Sequence, residues 1–193
     1  MFVMTVDQRG SRRDVDRVAP LLDDLRDLPA LRPPQRTAGD EVQLVTDDAG
    51  LALSVALDLI DRQHWSIGIG AGDVEHPLPE ETRAGRGRAF EAARRAVDRA
   101  KNAPGRIAFS GPDSDSAEDA DAALALLSVV VAGRTPEGRE AVSHLRRGLT
   151  QTETAELLGI SKQAVSQRLS VAHWQVEKVG RRLAERLLAE ADT

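Results

Sequence analysis

Two aspartates and a run of short polar side chains are the residues here whose types and spacing suit chemistry or recognition. Asp7 closes an apolar run, Phe2 to Val6, and Asp40 stands in Gly39-Asp40-Glu41 between two extended stretches. If those runs are neighbouring strands, the two carboxylates converge. Two carboxylates with a backbone carbonyl make an oxygen-rich site that suits Mg²⁺. Gly10-Ser11-Arg12 follows Asp7, and free backbone amides at a helix start beside an arginine suit a phosphate. The same residues also read plainly as two turn aspartates and a helix cap. The second set lies downstream, in Thr150 to Leu169 (TQTETAELLGISKQAVSQRL). Lys162, Gln163, Ser166, Gln167 and Ser170 fall on one side of a helix, and such side chains suit base edges in a major groove. Arg146, Arg147 and Arg168 are of the type that meets phosphates. The plain alternative is a helical hairpin whose polar face meets water.

The elements that must hold these residues follow from periodicity. Phe2 to Val6 reads as a buried strand, and Arg13 to Leu28 as a helix that Pro20 weakens or starts late. Gln35 to Thr37 and Glu41 to Val45 flank Ala38-Gly39-Asp40, a hairpin signal. Asp47 to Arg62 reads as a helix, Trp65 to Gly70 as a strand, Arg86 to Lys101 as a helix and Arg106 to Ser110 as a last strand. The first six elements have the βαββαβ order of a ferredoxin-like fold, with helices on one face of an antiparallel sheet. Gly111 to Asp121 carries glycine, proline, serine and acids without a large apolar side chain, which is linker composition.

Everything after the linker reads as helical. Asp119 to Ala132 is one helix, and Thr135-Pro136 caps and opens another that runs to Arg147. Thr150 and Glu153 form a capping box. Gly159 supplies a left-handed turn, Ile160 plugs the junction, and Ser161 caps the next helix. Val165, Leu169, Ala172, Val176, Val179, Leu183 and Leu187 then form a nearly continuous apolar seam, predicting a long terminal helix that packs on its own domain or on a second copy. The fold class expected is α+β: a ferredoxin-like domain over residues 1–110, an acidic linker over 111–118, and an all-α helical domain over 119–193.

Two resemblances sharpen this reading. The segment Thr150 to Leu169 resembles the helix-turn-helix of MarR-like and sigma-factor region-4-like regulators. No β-hairpin wing follows it, which favours the wingless, sigma-like kind. That resemblance implies duplex DNA as partner, with Thr150, Ser161, Lys162, Gln163, Ser166, Gln167, Arg168 and Ser170 as contacts. Asp7 with Gly10-Ser11-Arg12, Gly39-Asp40-Glu41 with Gln43, Ile67-Gly68-Ile69-Gly70, and Gly87 to Arg94 occur in the order seen in SatD-family proteins. That family looks related to nucleotide-cyclase-like palm domains. The resemblance implies Mg²⁺ on Asp7 and Asp40, and a nucleotide near Gly10, Ser11, Arg12 and Arg94. Cyclases carry an asparagine two residues before an Ala-Ala pair. Here Phe90 stands there, before Ala92-Ala93, and it can neither orient a ribose nor donate to a phosphate. A complete cyclase site is therefore missing, no required cofactor is expected, and the domain reads as a nucleotide sensor or a dimerising platform.

Composition sets the outer bounds. With no cysteine, thiol catalysis and cysteine-bearing zinc sites are excluded. The four histidines show no ligand spacing. The formal net charge is −5, but it is unevenly spread. Before Arg134 there are sixteen Lys/Arg against twenty-three Asp/Glu, whereas Arg134 to Arg186 holds ten against six. An acidic body thus carries a basic C-terminal module. Scarce aromatics argue against a stacking platform for single strands. No apolar run is long enough to cross a bilayer, so the sequence predicts a cytoplasmic, dimeric DNA-binding regulator with no membrane partner; the rival readings are a nucleotide cyclase or nucleotidyl transferase with a regulatory helical tail, and a protein-interaction adaptor.

Overall fold

A computed structural model describes residues 1–192, without the side chain of Ser114; Thr193, the last residue of the expected helical domain, lies outside the described residues. The protein is α+β: a five-stranded mixed sheet and, among the described residues, eight α-helices. The strands are β1 (Phe2–Gln8), β2 (Arg32–Ala38), β3 (Glu41–Thr46), β4 (Trp65–Ala71) and β5 (Ile107–Ser110), in the order β2-β3-β1-β4-β5. All pairs are antiparallel except β4 with β5.

Alternation along β1 divides the molecule. Phe2, Met4 and Val6 point into the main core with α1 (Val18–Asp24) and α2 (Ala49–Arg62), whereas Val3 points to the opposite face and clusters with Ala89 and Ala93 of α3 (Arg88–Ala100). Each fully buried large side chain stabilises the fold by about 1.5–3 kcal/mol. α3 lies almost directly on β4. A Cβ on Gly68 would sit 2.2 Å from Val97 N, and one on Gly70 2.1 Å from Ala93 N. These two glycines let helix and strand backbones touch, so alanine at either would push α3 off the sheet.

Local chemistry explains most element ends. Asp48 caps α2 through Gly50 N and Leu51 N, and Gln63 ends it in a left-handed conformation, φ 63°. The first helix starts late, at Val18, because residues 9–14 are taken up by a turn and Pro20 is tolerated only in a first turn. β2 is an edge strand whose Pro33-Pro34 leave the ladder where its register shifts.

The helical part departs from expectation in three ways. First, the acidic linker is short. Asp113 accepts from Ser116 N and starts α4 (Ser114–Ala132), so the acids lie on the helix's first turns, where negative charge is favoured. Second, α4 and α8 (Trp174–Glu190) belong to the sheet's core: Ala120, Leu124, Leu127, Ala184 and Leu188 share one buried cluster with Met4 and Ile67. By contrast, α5 (Pro136–Arg146), α6 (Gln151–Leu158) and α7 (Lys162–Val171) enclose a core of their own. The boundary at residue 119 therefore does not divide the packing. Third, the apolar seam does not form one helix. α7 ends at Val171, and His173 turns left-handed, φ 53°. Val165, Leu169 and Ala172 then face one core while Ala184 and Leu188 face another, and Val176, Val179 and Leu183 are exposed. Gly180 lies where α8 meets α4; a Cβ there would sit 2.6 Å from Leu127 Cδ2. Among the described residues, no helix is long and apolar enough to cross a membrane.

Candidate nucleic-acid interface

The outer face of α7 is built by three local devices. Thr150 and Glu153 cap α6 reciprocally: Thr150 N donates to Glu153 Oε2 at 2.7 Å, and Glu153 N donates to Thr150 Oγ1 at 3.2 Å. The bonds that Thr150 N and Thr150 Oγ1 donate to Glu153 Oε2 hold that carboxyl below the ordinary glutamate range. Gly159 then turns at φ 64°, a left-handed conformation that costs glycine nothing, and Ile160 N donates back to Ala155 O at 3.0 Å. Ser161 caps α7 through Ala164 N. Beneath these, Ala141, Val142, Ala155, Val165, Leu169 and Ala172 pack together, with Ile160 against them.

The result is a helix whose inner residues, Val165 and Leu169, are buried, while Lys162, Gln163, Ser166, Gln167 and Ser170 are exposed. None of those five side chains has a hydrogen-bond or ion-pair partner among the described residues. Thr150 and Ser161 also lie at the surface, each with its hydroxyl committed to a cap. At the C-terminal end of α7 a cleft of about 320 Å³ opens, lined by Gln151, Ser166, Ser170, His173 and Trp174. Sequence patterns missed this cleft because it depends on the break at His173.

The arginines behave differently from their sequence reading. Arg146 is not a surface phosphate group: it bridges Glu177, at 2.9 Å, and Asp61, at 3.3 Å. Arg134 is fully buried and paired with Glu177, and Arg139 pairs with Asp61 at 3.2 Å. Burial raises the Glu177 carboxyl, but Arg146 and Arg134 outweigh it and hold it below its usual range. Arg168 pairs with Glu140 at 3.0 Å, and Arg147 donates to Ser143 and lies beside His144. Much of the module's positive excess is thus spent internally. What remains outward near α7 is Lys162, Arg147 and the shared charge of Arg168.

The second candidate site does assemble. Asp7 registers opposite Glu41 in the β1–β3 ladder, and Gln8 N donates to Asp40 O at 3.0 Å. Asp7, Gly10, Ser11, Arg12 and Asp40 line one open groove of about 410 Å³. Its polar groups, however, are largely engaged. Lys101 stands 3.5 Å from Asp7, and Ser11 Oγ donates to Asp40. Burial pushes the Asp7 carboxyl above its usual range, Lys101 pulls it down, and Asp40 adds to the rise. Arg94 turns to Glu41 at 2.5 Å rather than to this groove. Phe90 packs beneath Gly85 and against the Val3–Val74 cluster, at the far end of α3 from Lys101. Among the described residues no group of three or more His, Cys, Asp or Glu is placed to hold a metal ion. Two carboxylates, one already facing an ammonium, fit a divalent cation poorly.

No family model matches the chain, and neither a curated protein nor a solved structure matches it.

Proposed function

We propose that this protein is a sequence-specific double-stranded-DNA-binding transcription regulator that reads its site with α7 and acts as a homodimer. The observation that carries the reading is the face of five exposed, unpartnered polar side chains, Lys162 to Ser170, on a helix capped, turned and buried on its other side. A helix-turn-helix presents its second helix to the major groove in this way. Among the described residues no strand follows α7, which supports a wingless, sigma-like variety.

The strand order β2-β3-β1-β4 is that of a split βαβ sheet, which supports a palm related to nucleotide cyclases. The engaged carboxylates and the position of Phe90 favour a non-catalytic role, as a platform that pairs two copies or as a sensor. The groove beside Ser11 and Arg12 favours a phosphate-bearing ligand such as a nucleotide. Titration with ATP or GTP, with and without Mg²⁺, tests that role through the melting temperature and through DNA affinity.

The DNA reading is tested by selecting bound genomic fragments with purified protein, then titrating the enriched motif at physiological salt. A partly palindromic motif bound about a thousandfold tighter than random DNA is the expected result. Gln163→Ala or Gln167→Ala is expected to cost about 1–3 kcal/mol on that motif where the side chain contacts a base in bidentate fashion. Arg168→Ala is expected to weaken all sequences alike and reduce the salt slope. Equal losses on motif and random DNA for both glutamines would refute base reading by α7.

A further inference from the structure

The helices carrying the candidate interface meet the body through ion pairs and through Trp174 of α8, which packs on their core. Their core, around Val142, Val165 and Leu169, is a cluster separate from the sheet's. Between the two lies a joint of charged residues, in which Arg134 and Arg181 also pair with Glu177. Asp61, at the end of α2, receives Arg139 and Arg146 of α5, at 3.2 and 3.3 Å. Arg146 also reaches Glu177 of α8, which is fully buried. Arg139 Nη2 and Gln63 Nε2 both donate to Ala132 O, at 2.9 and 3.0 Å, tying the corner after α2 to the end of α4. Arg9 Nη1 donates to Gln63 O at 3.0 Å and braces the corner from β1's side.

Buried ion pairs recover little more than their desolvation cost, but their geometry is directional. We propose that Asp61 is a positioning residue: through Arg139 and Arg146 it holds the α5–α7 head in one orientation on the sheet domain, so that two heads present their α7 faces at a fixed spacing. The fixed spacing of the two heads rests on the DNA-binding reading; the orientation of each head does not.

The chain has no cysteine, so introduced thiols are unique. Glu91→Cys on α3 and Glu156→Cys on α6 replace exposed residues on rigid helices of body and head. Spin labels at both give a distance distribution in the absence of DNA. One narrow peak is expected in the parent chain, a broadened or shifted one with Asp61→Asn, and recovery with Asp61→Glu. Should Asp61→Asn lose the folded state, Arg139→Gln opens the same joint from the head. A folded Asp61→Asn or Arg139→Gln protein with an unchanged peak would overturn the proposal.

On DNA carrying paired copies of the selected motif, affinity is expected to fall about tenfold if about a tenth of the dimers keep both heads in the competent orientation. Affinity for a single half-site should stay constant. Broadened distances with no DNA binding by any form would uphold the joint and remove the DNA reading. Broadened distances with equal losses on single and paired half-sites would overturn the spacing role.

Discussion

The outer face of α7 and the groove between Asp7 and Asp40 are both polar, surface-lying and assembled from segments that sequence patterns mark out, yet they differ in what their side chains already touch. On α7, five side chains are exposed and without partners among the described residues. In the groove, Asp7 faces Lys101 and Asp40 accepts from Ser11. Sequence already favours α7, where caps, turn and outer polar positions agree, over two aspartates that also read as turn residues. Partnering points the same way. A polar group that satisfies itself within the protein gains less from a ligand, because binding must first break the existing contact.

The largest test of this contrast removes the support of one region alone. Leu169 is buried in the small core under α7. Leu169→Ala is expected to destabilise the α5–α7 head by about 2–5 kcal/mol and to abolish DNA binding, while the sheet's core melts as before. Calorimetry that shows one transition moving as a whole would mean the two cores unfold together. Acidification should act on the head, through Glu153, and on its joint with α8, through Glu177. The carboxyls of Glu177 and Glu153 are held below their ordinary values, so their stabilisation is complete above the free glutamate value of about 4.3 and is lost as pH falls through their folded values. On the sheet side Asp7 and Asp61 are shifted upward and oppose this trend, whereas Asp14, Asp16 and Asp113 are shifted downward and share it. Melting followed by a head-specific label is therefore expected to fall as pH drops below about 4.3.

How much of this was legible in the sequence depends on the range of the interaction. The caps at Thr150 and Ser161, the turn at Gly159, the hairpin at Gly39-Asp40 and the strand pattern of β1 and β4 are local, and sequence spacing finds them. The neighbouring positions of Asp7 and Asp40 also follow, from strand order. The α4 start does not, because acids that suggest a linker also suit a helix N-terminus. Nor does the division of the apolar seam at His173: a period of three to four cannot say that Leu169 and Leu188 face different cores. The Arg134–Glu177 and Arg146–Asp61 pairs join residues far apart in the chain, so charge counting mistook internal arginines for an outward basic surface. Glycines gave a partial signal. Gly68 and Gly70 stand out in an apolar strand, but that α3 presses on them is a tertiary fact.

The smallest expected effect bears on the groove. Asp7 is partly buried, and burial disfavours its charged form more than Lys101 restores it. Asp7→Asn keeps the shape and removes that conflict, so stability is expected to change by less than about 1 kcal/mol, with DNA affinity unchanged. The informative comparison is the response to ATP or GTP with Mg²⁺. If neither nucleotide moves the melting temperature of the parent or of Asp7→Asn, the two carboxylates act as a strand end and a turn. A rise in the parent that Asp7→Asn abolishes would show that Lys101 yields to a cation. The contrast between a free face and an engaged groove would then fail, because a contact seen within the protein would be one that a ligand replaces.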